Sequence, residues 1–158
     1  RFVPPVSIVL AARPNAYIDG LVGFREGKVA DWISSFAGAT GLAATASVEL
    51  AGQISAFQAS WMERAGRPRA GSATTKLIAW LPALPVLSAP TARGAIGTSQ
   101  QKTLAALKEL AEAGVVRQLS AGTYDRKFAA TELFDLLDDY ESGIVFRGAT
   151  ARWSPRPG

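Results

Sequence analysis

The chain contains neither cysteine nor histidine. Lack of cysteine excludes a disulfide framework, a thiolate metal site and a thiol nucleophile. Lack of histidine removes the side chain most often used as a general base and the commonest neutral metal ligand. Zinc then has no ordinary ligand set, and the serines have no Ser–His pair to activate them. No apolar run reaches the length of a membrane span. "VSIVLAA", behind Pro4 and Pro5, is too short for one and is not read as a signal peptide. Neither a P-loop nor a dinucleotide fingerprint is present. No catalytic or metal-ligating residue is therefore expected in this chain, and a cytoplasmic, membrane-free location is.

What is present suffices for a fold. The 158 residues allow one domain or two very small ones. The first residue is Arg1 rather than Met, which points to a piece of a longer protein. The formal charge of +4 invites a nucleic-acid reading, but along the chain it is uneven. Residues 1–71 are net +2, residues 72–145 net −1, and residues 146–158 net +3. The surplus thus gathers in "RAGRPRAG", with Arg64, Arg67 and Arg69, and in the tail.

The segment 65–71 is the best candidate for a linker, since two glycines and a proline interrupt helical pattern on both sides. The expected organisation is residues 1–64 as one helical body, 65–71 as linker, 72–145 as a second domain and 146–158 as a basic tail. In the first body Pro14 can open a helix. Tyr17, Ile18, Leu21 and Val22 share one side of it, and Gly27 ends it. A second helical stretch begins near Asp31, a good cap. Its middle, "AGATGLAATAS", permits either close packing or a break. Leu50, Ile54, Phe57 and Trp61 follow on one side. These residues and Phe36 need cover, so an exposed apolar surface or a homodimer is expected.

After the linker, Ser72 and Ser88 cap two short helices, with Pro82 and Pro85 between them. "GTSQQKTLAALKELAEAGVV", residues 97–116, reads as a helix that follows across a tight turn and stops at Gly114. "VVRQLS" and "RKFAA" read as the strands of a hairpin around "AGTYD". Thr131 caps a last helix carrying Leu133, Leu136, Leu137 and Tyr140. The fold expected is mainly α, with a winged helix-turn-helix domain and a small β-hairpin at its end.

Leu104, Leu107, Leu110 and Ala111 are expected to face the core from helix 97–116. Gln101, Lys102, Ala105, Ala106 and Glu109 then face outward, where Gln101 could pair with an adenine edge and Lys102 with a guanine or a phosphate. On the hairpin, Arg117, Arg126 and Lys127, with Tyr124, could reach phosphates. The competing reading is a helix that packs a small domain and reads nothing, with wing charges that only face water. The carboxylates of the last helix alternate with its leucines and read as a solvated face.

Taken together, the chain resembles the C-terminal portion of a bacterial Fic-family protein. "RFVPPVSIVLAARPNAYIDGLVGFREG" is similar to the family segment that follows the catalytic loop. "KVADWISSFAGAT" is similar to the Trp–Ile–x–x–Phe–Phe helix that closes the Fic core. "LPALPVLSAPTARGAIGTSQQKTLAALKELAEAGVVRQLS" is similar to the winged-helix module appended to many members. The resemblance implies a parent enzyme that transfers AMP from ATP, with Mg, to protein hydroxyls. The family signature, His-Pro-Phe-x-Asp/Glu-Gly-Asn-Gly-Arg, is absent, so no catalytic residue carries over. The resemblance makes residues 1–64 a remnant of the Fic core. The chain is then an accessory module that binds DNA or a protein through the winged helix. The alternatives are a fragment of the AMP transferase itself and a purely structural dimerisation module.

Overall fold

The computed structural model describes residues 5–119 and 126–151. It is mainly helical with one small antiparallel sheet. The elements are α1 (Val6–Ala11), α2 (Pro14–Arg25), α3 (Val29–Arg64), α4 (Ala73–Trp80), β1 (Val86–Ser88), α5 (Ala89–Ile96), α6 (Gln100–Glu112), β2 (Arg117–Gln118), β3 (Lys127–Ala129) and α7 (Thr131–Thr150). No described helix is long and apolar enough to cross a membrane.

Two compact units emerge, and they do not divide at the expected linker. One comprises residues 1–52 with 137–158, the other residues 53–136. Residues 65–71 lie inside the second unit, as a turn joining α3 to α4. The physical reason is the packing at the end of α3. Trp61 is fully buried, and its indole N–H donates to the Glu132 carboxylate at 2.6 Å. Arg64 grips the same carboxylate in a fork, at 3.0 and 2.7 Å.

The Ala-rich middle of α3 does not break; the helix runs unbroken for 36 residues. Alanine is the best helix former, and here its small side chain is also used. Ala39, Ala43 and Ala46 are fully buried against Val9 and Ile144, forming the core of the first unit. The Arg147 guanidinium, on α7, reaches Glu49 at 2.7 Å in the same unit. Helix α7 extends to Thr150, past the expected start of the tail at residue 146.

Of the apolar residues expected to need cover, Leu50 and Trp61 are buried within the chain, whereas Phe36 is substantially exposed. Further uncovered apolar surface lies on α2, which buries no residue and exposes Ile18 and Val22, and at Ile33 of α3. Tyr17, Trp32 and Phe36 form a row of aromatic contacts, with centroids 5.6 and 6.0 Å apart.

Three helical glycines give a paired test of this packing. A Cβ at Gly148 would meet Ala12 Cβ at 2.9 Å and the Val9 carbonyl at 3.2 Å, whereas at Gly41 and Gly52 it would meet nothing within 4 Å. Gly41→Ala and Gly52→Ala should each stabilise the chain by about 0.5–1 kcal/mol. Gly148→Ala should destabilise it by about 1–3 kcal/mol through overpacking. Urea melts of the three variants check the opposite signs.

Candidate nucleic-acid interface

In the second unit, α4, α5 and α6 pack on one another. Each begins at a serine whose hydroxyl accepts from a backbone N–H three residues on: Ser72 from Thr75, Ser88 from Thr91 and Ser99 from Lys102. These caps satisfy N–H groups that the helix itself leaves orphaned. Gly97, at φ +62, ends α5 in the left-handed region and turns the chain into α6. Gly114, at φ +68, follows the end of α6. Both positions suit glycine because a Cβ is strained there.

The inward side of α6 differs from expectation by one step around the helix. Thr103, Ala106, Leu107 and Leu110 are buried, whereas Leu104 is 46% exposed. The leucine spacing pointed to the wrong stripe. Small Ala106 and Thr103 face the neighbouring helices instead. The Thr103 hydroxyl, buried with them, donates to the Ser99 carbonyl at 3.0 Å and lies 2.9 Å from Thr98 Oγ1. Its polar atom is therefore satisfied, which makes the burial affordable. Gln101, Lys102, Leu104 and Lys108 face solvent. Glu109, which would repel a phosphate backbone, accepts a hydrogen bond from Thr74 Oγ1 on α4 at 2.5 Å. Lys108 pairs with Glu112 at 3.6 Å.

The expected hairpin is there as β2–β3, but the sheet has three strands in the order β1–β3–β2, both pairs antiparallel. Val86 and Arg117 both stand opposite Ala129, and Ser88 stands opposite Lys127. Side chains alternate along a strand, so Arg117 and Lys127 fall on one face, on diagonal positions about 7–8 Å apart at the backbone. The other face carries Leu87 and Phe128, both buried. Both basic residues are exposed, as is Arg126 just before β3. Tyr124, assigned to the hairpin tip, lies outside the described residues.

The structure therefore brings the expected site residues together in two groups: Gln101 with Lys102 at the start of α6, and Arg117 with Lys127 on the sheet, Arg126 being adjacent in sequence. Three further outward residues were missed. Arg93 on α5 is exposed and lines a cleft of roughly 160 Å3 with Pro90 and Gln100. Its signal was available, since Ala92 and Ile96 mark the inward side of α5. Lys108 and Leu104 were lost with the misjudged face of α6.

Charge is redistributed as well. The second unit, residues 53–136, carries ten Lys/Arg and six Asp/Glu, a net +4. The first unit carries seven of each, net zero. The sequence segments had hidden this, because Asp138, Asp139 and Glu141 of α7 belong to the first unit while the arginines of 64–69 belong to the second. Two of those three arginines are not loose cations, however. Arg64 is committed to Glu132, and Arg67 pairs with Glu63 at 2.7 Å. At Glu132, burial raises the carboxyl pKa, but the hydrogen bonds from Arg64 and Trp61 and the Arg64 charge outweigh it and hold the value below the ordinary range. Among the described residues, Arg93, Lys102, Arg117 and Arg126 make no ion pair.

No protein-family model matches the chain, and no curated protein is similar to it in sequence.

Proposed function

We propose that the second unit is a winged helix-turn-helix module that binds double-stranded DNA, with α6 in the major groove and the β2–β3 hairpin against the adjoining backbone. The observation that carries this reading is the confinement of the whole net charge of +4 to this unit, with Gln101, Lys102, Arg117, Arg126 and Lys127 all facing solvent. The order helix, strand, helix, helix, hairpin supports it. In that arrangement the second helix of the tight pair enters the groove while the preceding one crosses the backbone. Gln101 would then face an adenine edge, Lys102 a guanine or phosphate, and Arg93, Arg117, Arg126 and Lys127 the phosphates. Within a Fic-type protein, the module would position the AMP-transferring core on or near DNA.

Titration of the chain into a mixed-sequence duplex at several salt concentrations tests the reading. Affinity should fall steeply with salt, with a log–log slope of about −0.9 for each phosphate neutralised. Absence of binding at low salt would refute the proposal and favour a packing or protein-contact role for α6.

A further inference from the structure

We infer that α6 reads A·T base pairs, with Leu104 packing on the thymine methyl and Gln101 pairing with adenine. The inference rests on the DNA-binding reading above and gives it a base preference. Its basis is the outward position of Leu104, which is 46% exposed although it is a leucine on an amphipathic helix whose inward stripe is complete without it.

At about 100° per residue, Gln101, Leu104 and Lys108 project within an arc of about 60°. Gln101 and Lys108 lie near the middle of the outward face, opposite Leu110 and Thr103, and Leu104 lies toward one edge of it, beside buried Leu107. Lys102 lies about 100° away from Gln101, toward the other edge. Gln101 and Leu104 are three residues apart, a rise of about 4.5 Å along the helix. That rise lies between one and two base-pair spacings of about 3.4 Å. Side chains so placed can address neighbouring base pairs. A glutamine amide matches adenine N6 and N7, and an apolar side chain matches the C5-methyl that only thymine presents in the major groove. The third residue of the arc, Lys108, lies 3.6 Å from the Glu112 carboxylate on the exposed surface. The net +4 charge of the unit supplies complementarity to a polyanion and none to a basic or apolar partner.

The test uses the full chain and three duplexes: an alternating A·T duplex, the same duplex with deoxyuridine replacing thymidine, and a G·C duplex. Deoxyuridine keeps every hydrogen-bonding group and removes only the methyl. The expected order is thymidine over deoxyuridine by about fourfold for each methyl buried, with G·C weakest. Leu104→Ala should bind the thymidine duplex as the unchanged chain binds the deoxyuridine one, and should no longer tell the two apart. Leu104→Met should keep the distinction. Gln101→Ala should reduce the preference over G·C by about tenfold or more while leaving the methyl effect in place. Salt-dependent binding with equal affinity for thymidine and deoxyuridine duplexes would overturn the base preference and leave the DNA-binding reading standing. A thymidine preference that persists in Leu104→Ala would arise in the DNA itself and would also overturn it. Failure to bind any duplex would overturn both.

Discussion

Trp61→Ala should destabilise the second unit by about 3–5 kcal/mol, the usual cost of emptying a large aromatic site. That is a large share of the roughly 5–15 kcal/mol by which whole domains are stable. The Trp61 side chain is wholly buried, its ring lies 6.0 Å from that of Phe57, and its N–H donates to Glu132. Two further variants separate packing from the polar latch. Trp61→Phe keeps most of the ring and removes the donor, and should cost about 1–2 kcal/mol. Glu132→Ala leaves the buried indole N–H without its acceptor, while the exposed Arg64 head is taken up by water, and should cost about 1–3 kcal/mol. Urea denaturation followed by tryptophan-independent circular dichroism gives the order. A cost below that of Trp61→Phe for the alanine variant would mean the site is not packed as described.

The latch also carries a pH signature. The Glu132 carboxyl is held below its ordinary range in the folded chain, so the folded state binds its proton less readily than the unfolded state does. Its contribution is therefore complete above the unfolded value, about 4.3 for glutamate, and is lost as the pH falls through the lower folded value. The stability gap between the unchanged chain and Glu132→Gln should be constant from neutral pH down to about 5 and close progressively below about 4.

The second large effect concerns DNA. The variant Lys102→Ala/Arg117→Ala/Arg126→Ala/Lys127→Ala removes four exposed cations of the interface without touching a buried residue. If each neutralises one phosphate, the salt slope should flatten by about 3.6, and affinity at low salt should fall by on the order of a thousandfold. Arg67→Ala is the control, because its guanidinium is already paired with Glu63; it should change the slope by much less than one unit. A chain lacking residues 152–158 measures the tail, which carries Arg152 and Arg156. If deleting the tail abolishes binding while the fourfold variant leaves it intact, the interface is not on the second unit.

Local chemistry made a good part of this unit legible in the sequence. The capping serines Ser72 and Ser88 were read from the sequence, as were the tight turn before α6, the stop at Gly114 and the two hairpin strands. Each depends on atoms within a few residues of one another, so the residue types carry the information directly. The outward position of Gln101 and Lys102 was read from the leucine stripe and holds although that stripe is shifted by one step.

Three features were decided only by tertiary structure. Strand β1 is three residues long and exists through pairing with β3, so that Val86 finds Ala129 across more than forty intervening residues; nothing local in "PVLS" requires it. The inward side of α6 was settled by its packing on α4 and α5. That packing buries Thr103 and Ala106 and leaves Leu104 exposed, a choice the leucine spacing of the helix alone does not contain. The division of charge depended on where α3 and α7 pass from one unit to the other. Trp61 and Arg64 meet Glu132 across about seventy residues of chain, which draws the basic turn at 65–71 into the second unit. The acidic residues of α7 beyond Leu136 fall in the first. Periodicity specifies which residues can share a face, but which face is buried, and which charges end up together, is determined by the surfaces that meet it.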